Sequence, residues 1–385
     1  MQEEIELFDG KQAIFTFAEE RRSPARIAVI GIGGAGVNSI NCMVEAKIKG
    51  VELVAVNTDL QSLRASLAPI KIEIGMKITK GAGCGGDPQL GRKATLDETE
   101  HIFDLINGYD MVFIIGGEGG GTFTGAAPIF AGLSSEVGAL TIAMAVMPFG
   151  FESKKRRIYA ETGIRELKEA VDALVVVPNE NMIRMLDENV SLEDSLRSVD
   201  DLICQSVQGI SEIITMPGII NPDLADVRTV IRHKGAILIG TGMAEGSDRA
   251  VEAVQRAISS PLLEGRSIAG AKAALVNVIG SRCSLKLHEI EAAAAIVKEK
   301  AGLEDMIIGA MYDDGVGQFL KITVVATGLK QEAPLRFGSS RIQFDTGVEV
   351  ETFGRTSQIG RVNGSYGKSD EEHLDQPPFK RRRIV

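Results

Sequence analysis

The chain has 385 residues, of which 44% are hydrophobic and 24% charged, proportions that are ordinary for a globular protein. Its length suffices for two domains with large cores, and its formal net charge of −10 argues against broad adhesion to nucleic acid or membrane surfaces. No segment resembles a secretory signal or a membrane span, so we expect a cytoplasmic protein without direct membrane insertion. Because no cysteine and histidine cluster has metal-ligand spacing, no metal held directly by side chains is predicted.

Short apolar runs alternate with longer amphipathic ones over residues 26–194, after an N-terminal arm at residues 1–25. The apolar runs are typical of strands buried on both faces, and they read RIAVIGIG, VELVAVN, MVFIIGG, LTIAMAVM and ALVVVP. The stretches between them, such as NSINCMVEAKI and KKRRIYAETGIRELKEAV, have helical periodicity. This alternation predicts an α/β domain with a doubly wound parallel sheet.

The next predicted element is one long central helix over residues 195–217, which a Pro-Gly pair ends. A second series of strand and helix patterns follows over residues 218–330 and begins with AILIGTG. It predicts a smaller α/β domain, joined to the first by the central helix. The composition then shifts to Gly, Ser, Arg and acidic residues, so we predict a disordered linker at 331–370 and a C-terminal peptide at 371–385.

A first glycine-rich turn, GIGGAG at residues 31–36, ends the first strand and opens a helix. Glycines allow close backbone approach there, and the amides of a helix N-terminus suit a phosphate. Taken alone, the motif also satisfies the dinucleotide fingerprint GxGxxG, and Asp59 stands about where a ribose-binding acid would be expected. This turn by itself therefore leaves an NAD-dependent oxidoreductase open.

A second glycine-rich turn, GGEGGGTFTG at residues 116–125, follows another strand of the predicted sheet. Glycine-rich loops at the carboxyl ends of two parallel strands can converge on one ligand. Two amide cradles, together with the hydroxyls of Thr122 and Thr124, suit a polyphosphate better than a single pyrophosphate. The P-loop motif GxxxxGK[ST] does not occur in the sequence. The pair of turns thus favours a nucleotide bound through its phosphates.

The stretch GGGTFTGAAP is similar to the tubulin-family signature GGGTGTG. Further stretches match in order: VNTDLQSL, KGAGCGGDPQLGR, PFGFESKKR, VPNENM, NPDLADVRTV and AISSPLLE. Over about residues 26–328 the chain therefore resembles the FtsZ family of tubulin homologues. The resemblance implies a GTP-binding domain, a central helix and an activation domain, with GTP or GDP and Mg²⁺ as ligands. It also implies a GTP hydrolase that polymerises head to tail into cytoskeletal filaments and scaffolds the cytokinetic ring at midcell.

The resemblance further implies which residues bind GTP. The first glycine-rich loop would lie against the phosphates and base through Gly33, Gly34, Ala35, Gly36, Val37 and Asn38. The second would wrap the phosphates through Gly119, Gly120, Gly121, Thr122, Phe123, Thr124 and Gly125. Six further residues would complete the site: Asn57 and Asp59 toward the ribose and phosphates, Glu152 and Arg156 toward the ribose, Asn179 toward the nucleotide, and Asp200 toward the guanine edge.

Simpler structural roles are open for several of these residues when the sequence is considered without the resemblance. Asn57 and Asn179 could each satisfy local backbone groups in turns. Glu152 could belong to a solvated helix start, since basic residues follow it directly. Asp200 could be acidic charge near a helix N-terminus, where the helix dipole favours it.

The segment Asn221-Pro-Asp-Leu-Ala-Asp226 holds the predicted catalytic residues Asn221, Asp223 and Asp226. The two aspartates share one face if a helix begins here, and paired carboxylates can orient water for attack on a phosphoryl group. The same spacing also suits an N-capping Asp followed by a first-turn Asp. The resemblance implies that this loop is inserted over the GTP of the next subunit, so that hydrolysis requires assembly.

Three residues depart from the family pattern. Phe123 replaces the middle glycine of the signature, which would cost about 1–3 kcal/mol if its φ is positive, whereas with a negative φ the ring can point outward harmlessly. Glu118 adds negative charge near a triphosphate, which is unfavourable unless it points to water or helps to hold a cation. Leu196 stands where relatives carry a phenylalanine near the guanine ring. These departures favour an alternative, a hydrolysis-deficient paralogue acting as a structural or regulatory filament component.

The C-terminal stretch LDQPPFKRRRIV resembles the short peptide by which members of this family dock onto membrane-anchor proteins. An acidic residue, prolines, one aromatic residue and basic residues follow one another in the expected order. The resemblance implies membrane-anchor and division proteins as partners, in addition to the homopolymer.

Overall fold

The computed structural model describes the chain over residues 5–6, 12–13, 25–179, 190–216, 218–233, 236–259, 267–303 and 306–329. The predicted linker at 331–370 and the C-terminal peptide at 371–385 lie outside these ranges. Most of the predicted arm lies outside them as well, and the structure describes there only the antiparallel pair β1 (Ile5–Glu6) and β2 (Gln12–Ala13). The two larger sheets belong to one unit, Met1–Pro334.

The first sheet has six parallel strands: β3 (Ile27–Ile32), β4 (Glu52–Asn57), β5 (Ile70–Glu73), β6 (Met111–Gly117), β7 (Leu140–Val146) and β8 (Ala173–Val177). Their order across the sheet is β5-β4-β3-β6-β7-β8, and every neighbouring pair is parallel. The chain therefore builds the sheet outward from β3 on one side and returns to build it outward from β6 on the other. This is the strand order of doubly wound nucleotide-binding folds.

The helices of this part of the chain are α1 (Gly33–Glu45), α2 (Leu60–Ala65), α3 (Met76–Thr79), α4 (Pro88–Leu96), α5 (Thr99–Ile106), α6 (Thr122–Glu136) and α7 (Lys154–Ala170). Alternate strand residues point to opposite faces of the sheet. Val29 and Phe113 are buried in one core with Ile40 of α1. Ile30 is buried in another core with Phe130 of α6. The predicted doubly wound sheet is confirmed.

The sequence patterns do not predict β5, α2, α3, α4 or α6. Most of these elements are short, but α6 has 15 residues and its first turn lies inside the stretch predicted as a glycine-rich turn. A Cβ placed on Gly125 of α6 would lie 2.9 Å from the carbonyl carbon of Gly91 in α4. Close packing of the two helices therefore requires the glycine, and tertiary contact overrides its low helix propensity.

The central helix α8 (Leu192–Thr215) begins before the predicted residue 195, because the side chain of Ser191 caps it and accepts a hydrogen bond from Asp194 N at 3.0 Å. The second sheet comprises β9 (Gly218–Ile220), β10 (Ala236–Ala244), β11 (Ala273–Gly280), β12 (Ile307–Tyr312) and β13 (Leu320–Leu329). Its order is β10-β13-β11-β12-β9, and the β11–β12 pair is parallel whereas the other pairs are antiparallel. Helices α9 (Leu224–Ile231), α10 (Arg249–Ile258) and α11 (Leu287–Ala301) accompany it, with a 3-10 turn at Asp314–Val316.

Helix α8 contacts both sheets. The amine of Lys321 in β13 lies 2.7 Å from a carboxylate oxygen of Glu212 in α8, and both side chains are largely buried. Near the end of α8, a Cβ placed on Gly50, which precedes β4, would lie 2.7 Å from Thr215 Oγ1. The single helix thus fixes the second sheet to the first, while the predicted domain limits stay predictions.

Candidate nucleotide site

The two glycine-rich loops lie side by side at the centre of the first sheet. They follow β3 and β6, which are adjacent and parallel, so both loops lie at the carboxyl edge of the sheet. The chain leaves β3 toward β4 and leaves β6 toward β7, in opposite directions across the sheet. Doubly wound sheets bind ligands at this switch point, in the crevice between the two diverging connections.

The first loop contains two kinds of position: glycines that close packing requires, and residues that are open to a ligand. A Cβ placed on Gly36 would lie 2.5 Å from the carbonyl oxygen of Ile115, so this glycine lets α1 approach the sheet. By contrast, a Cβ placed on Gly34 would meet nothing within 4 Å, and Gly34, Ala35 and Asn38 are exposed. No side chain caps α1, which leaves its first amides for an anion.

The second loop offers a similar cradle. Gly119 has φ +82, and its amide donates a 2.9 Å hydrogen bond to Thr124 Oγ1. Gly120 is nearly free of neighbours, since a Cβ there would lie 3.8 Å from the closest atom. Helix α6 then begins with Gly121 as its N-cap residue and without a side-chain cap. Its first amides can therefore bind a phosphate group, as those of α1 can.

Phe123 lies in the core. It is the second residue of α6, it is not among the described residues with positive φ, and 2% of it is exposed. The conditional strain cost therefore does not arise, and the ring points inward to pack with Ile32 and Ala126. Phe123 is one of the predicted GTP-binding residues, but because its side chain is buried it can offer only its backbone to the nucleotide.

A third loop, after β4, reaches the same edge through hydroxyl groups. Thr58 Oγ1 lies 2.8 Å from Thr122 Oγ1 and joins this loop to the start of α6. Asn57 is buried, and its side-chain oxygen accepts hydrogen bonds from Thr58 N at 2.8 Å and Asp59 N at 3.3 Å. Asp59 caps α2 by accepting a 2.9 Å hydrogen bond from Gln61 N. The simpler local role predicted for Asn57 thus describes it, Asp59 is a helix cap, and the roles of both residues toward ribose and phosphate stay predictions.

Glu152 and Arg156 lie together at the start of α7. One carboxylate oxygen of Glu152 accepts a 2.9 Å hydrogen bond from Phe149 N, and the other forms an ion pair with Arg156. The Arg156 side chain is 53% exposed, so it stays accessible to a ligand. The second glycine-rich loop touches this turn, because a Cβ placed on Gly119 would lie 2.6 Å from the Arg156 carbonyl oxygen.

Asn179 follows β8 at the same carboxyl edge of the sheet. It is 6% exposed, and its side-chain oxygen has no hydrogen-bond partner among the described residues. A buried acceptor without a partner carries a free-energy cost that a ligand donor would remove. The predicted turn role is not seen, and the residue fits a group with N–H or O–H donors.

Asp200 faces α1. Ser39 Oγ donates a 2.6 Å hydrogen bond to an Asp200 carboxylate oxygen, while burial raises the Asp200 pKa to about 6. Asp200 lies beyond the first two turns of α8, where the dipole of the helix N-terminus no longer acts, so the dipole interpretation is wrong. Leu196, one turn earlier, is 43% exposed. Ser39 and Thr58 are site residues that the motif search missed, although each lies in a quoted motif, NSI or VNTDL.

Glu118 points into the protein, not to water. It is 4% exposed, neither carboxylate oxygen has a hydrogen-bond partner among the described residues, and burial raises its pKa to about 8. A Cβ placed on Gly163 of α7 would lie 2.9 Å from Glu118 Cδ. Burial therefore favours the neutral carboxyl form of Glu118, which reduces the charge that it adds beside the loops.

The predicted catalytic aspartates cap a helix. Asp223 accepts a 2.8 Å hydrogen bond from Asp226 N, and Asp226 accepts a 3.0 Å hydrogen bond from Asp223 N. This reciprocal capping box opens α9, as the helix-start interpretation predicts. Both aspartates and Asn221 are exposed.

The aspartate loop lies far from the cradle of its own chain. Helix α9 contacts the first sheet at its amino edge: Arg228 Nη1 donates to the Gly138 carbonyl at 3.1 Å, and Arg232 Nε lies 3.0 Å from Asp172 Oδ1. Gly138 precedes β7 and Asp172 precedes β8. The glycine-rich loops occupy the opposite edge, so one chain does not bring the two halves of the predicted site together.

The residues that the structure describes contain neither a metal-binding cluster nor a membrane-spanning helix. No group of three or more His, Cys, Asp and Glu side chains is placed to hold a metal ion. In the same part of the chain, no helix combines the length and apolar character needed to cross a bilayer.

Known proteins match both halves of the chain. The GTPase-domain model of the Tubulin/FtsZ family matches residues 26–187, and the C-terminal-domain model of the FtsZ family matches residues 235–330. An FtsZ dimer from M. jannaschii is 39% identical with a TM-score of 0.73, and the match covers 80% of this chain and 89% of that one. A GTPγS-bound protofilament of CetZ2 from Haloferax volcanii is 20% identical with a TM-score of 0.67, and the match covers 80% of this chain and 94% of that one. At this identity the match shows a shared fold. The family binds GTP and GDP, so the NAD interpretation of GIGGAG has no support, and the chain belongs to the tubulin/FtsZ family.

Proposed function

We propose that this chain is a GTPase that polymerises head to tail and hydrolyses GTP at the junction between two subunits. The observation that carries the proposal is the position of its two half-sites at opposite edges of one sheet. Strands β6 and β7 each have seven residues, so the edges are about 20 Å apart. The aspartates of one chain cannot reach its own nucleotide over this distance, whereas a second copy stacked in the same orientation can supply them. Such a contact is heterologous and generates a filament when it does not close.

The described residues suit GTP as the substrate. The open amides around Gly34 and Gly120 would hold the phosphates, and the carboxylate of Asp200 would accept from the N–H donors of guanine. The side-chain oxygen of Asn179, for which the described residues supply no partner, would gain a donor. Mg²⁺ would be bound mainly by phosphate oxygens and water, as is usual for this ion, and would offset the phosphate charge. From the next subunit, Asp223 and Asp226 would orient the attacking water, with Asn221 beside them.

Mixing two variants, each defective in one half-site, tests the shared site. Gly34→Asp places a negative charge against the phosphates at a position with open space, and Gly34→Ala is its neutral control. Asp226→Asn removes the charge of Asp226 and leaves that of Asp223, and it retains an acceptor for Asp223 N. Each defective variant alone should hydrolyse little GTP, and the mixture should regain phosphate release at the junctions that combine an intact cradle with an intact loop. No recovery in mixtures that co-sediment would contradict the proposal.

The alternative function is a hydrolysis-deficient paralogue that serves as a structural or regulatory filament component. The capping box favours it, since both aspartate carboxylates already accept hydrogen bonds within their own chain. This alternative predicts GTP binding and polymers that sediment, with a rate of phosphate release that stays near zero as protein concentration rises. A specific rate that rises above a threshold concentration would instead support the GTPase.

We further propose a role in cytokinesis, with filaments at the midcell ring of the cytoplasm and membrane-anchor proteins bound through residues 371–385. The support is the sequence of this peptide, which lies outside the described residues. A fluorescent fusion should form a midcell band, and removal of residues 371–385 should abolish the band while the purified variant still polymerises. A diffuse full-length fusion that polymerises in vitro would contradict the division role.

A further inference from the structure

The ring of Phe123 lies directly on the end of strand β6. A Cβ placed on Gly116 would lie 2.6 Å from Phe123 Cγ, so no other residue type fits at position 116 beneath the ring. Gly116 pairs with Ile32, the last residue of β3, and Ile32 belongs to the same buried cluster as the ring. Phe123 therefore contacts both central strands at the points where the glycine-rich loops leave them.

The residues beside Phe123 join the same turn of α6 to the other loops. A Cβ placed on Gly33 of the first loop would lie 3.4 Å from Thr122 Cβ and 3.5 Å from Phe123 N. The 2.8 Å contact between Thr122 and Thr58 adds the loop after β4. The first turn of α6, which is part of the second glycine-rich loop, thus meets two other loops of the candidate nucleotide site, and the buried ring is its apolar attachment to the sheet.

A glycine in the place of Phe123, as in the family signature, has no side chain to make this attachment. The backbone of residues 119–124 would then lack the apolar contact and gain conformational freedom. Because both glycine-rich loops border the ring, the loss should affect them more than the rest of the core.

We propose that Phe123 and Gly116 form an anchor that holds the phosphate-binding turn of α6 in place when no nucleotide is bound. Phe123 is thus a positioning residue that replaces part of the ordering otherwise supplied by the ligand. A preorganised loop binds its ligand more tightly than one that is competent for only a fraction of the time. The inference rests on the proposed nucleotide site, and it adds that nucleotide exchange in this chain proceeds without disordering of the loop.

Hydrogen exchange on the full chain stripped of nucleotide tests the anchor. In the unmodified chain, the hydrogen-bonded amides of residues 117–126, among them those of Gly119 and Gly125, should be protected without GTP, and in Phe123→Ala they should exchange faster by about tenfold or more. Phe123→Leu keeps an apolar contact and should retain most of the protection. Phe130→Ala is the matched control, because Phe130 is an equally buried ring of the same helix and the same core. It should lower overall stability without a selective loss in the loops.

Equal exchange of residues 117–126 in Phe123→Ala and Phe130→Ala would overturn the proposal. Amides of β11 in the second sheet report whether a variant is folded, and if Phe123→Ala is not, Phe123→Leu compared with Phe130→Leu decides the question. Adding GTP should restore loop protection in Phe123→Ala, with an affinity lower by about tenfold if the loop is competent for a tenth of the time. Hydrogen exchange without nucleotide tests the proposed anchor, and the GTP titration tests the proposed nucleotide site. Either proposal can therefore be contradicted without contradicting the other.

Discussion

The carboxylate of Asp226 helps to cap α9 and is also proposed to act on the GTP of a neighbouring subunit. Substitutions at this residue can therefore separate its effect on stability from its effect on hydrolysis. Asp226→Ala removes the hydrogen bond to Asp223 N and the favourable charge at the helix N-terminus. Together these should lower the free energy of unfolding by about 1 kcal/mol. Asp226→Asn keeps an acceptor for Asp223 N and should lose about 0.5 kcal/mol, chiefly the dipole contribution.

Neither loss of stability can unfold the chain, because domains have a free energy of unfolding of about 5–15 kcal/mol. More than nine-tenths of the molecules of each variant therefore stay folded. The expected loss of GTP turnover is much larger, about 10²-fold or more for both variants, because neither keeps the carboxylate that orients water. Urea denaturation gives the stability and phosphate release across protein concentrations gives the turnover.

Ser191→Ala is the control for the Asp226 variants. It removes the N-cap of α8 at a similar cost of about 1 kcal/mol but touches no group of the proposed chemistry. Its turnover should be unchanged. If Asp226→Asn hydrolyses GTP as fast as the unmodified chain, the assignment of catalysis to this carboxylate is refuted and the capping role alone remains.

Three further outcomes follow from individual residues of the structure. The pKa of Glu118 is raised to about 8, so the folded chain keeps a proton that the unfolded chain has lost; its stabilising contribution is full below about pH 4.5 and disappears as pH rises to 8. Urea denaturation at several pH values should therefore show that the free energy of unfolding falls as pH rises from 4.5 to 8. In Glu118→Gln this fall should be smaller, by up to about 1.4 kcal/mol per pH unit. If the two proteins show the same dependence on pH, the buried position of Glu118 is contradicted. The Asp200 pKa of about 6 predicts that GTP binding near pH 6 releases a proton from this carboxyl, visible as a dependence of the calorimetric heat on buffer ionisation. The dependence should be smaller in Asp200→Asn, where only the terminal phosphate of GTP still titrates in this range. Finally, a Cβ placed on Gly209 of α8 would lie 2.7 Å from Thr323 Cγ2, so Gly209→Ala should destabilise the chain by about 1–3 kcal/mol, and Thr323→Ser, which removes that methyl group, should recover part of the loss.

Elements with a strong local pattern could be predicted from the sequence. Strand β6 follows from MVFII, since Phe113 and Ile114 are buried on opposite faces and a fully apolar run is typical of such strands. Helix α6 could not be predicted, because its first turn contains a glycine, two threonines and Phe123 and is fixed by contact with α4. Local propensity gives no sign of a contact made by residues about 30 positions away.

The same limit applied within the site. Motifs placed the two glycine-rich loops, but the direction of the Phe123 ring depends on Gly116 across the turn, and the burial of Glu118 depends on Gly163 in α7. Asp200 was assigned to the wrong part of its helix, because the cap at Ser191 moves the start of α8. In each case the residue was found from the sequence, and its surroundings were set by distant parts of the chain.

The opposite placement of the cradle and the aspartate loop would also make the proposed head-to-tail polymer polar. One terminal subunit would present a bare loop of aspartates, and the subunit at the other terminus would present its nucleotide to solvent. Nucleotide at the second terminus can be replaced without breaking a junction, whereas every interior nucleotide is covered by a neighbour. The two ends would therefore differ in their rates of growth and loss, and a filament could add subunits at one end while it loses them at the other.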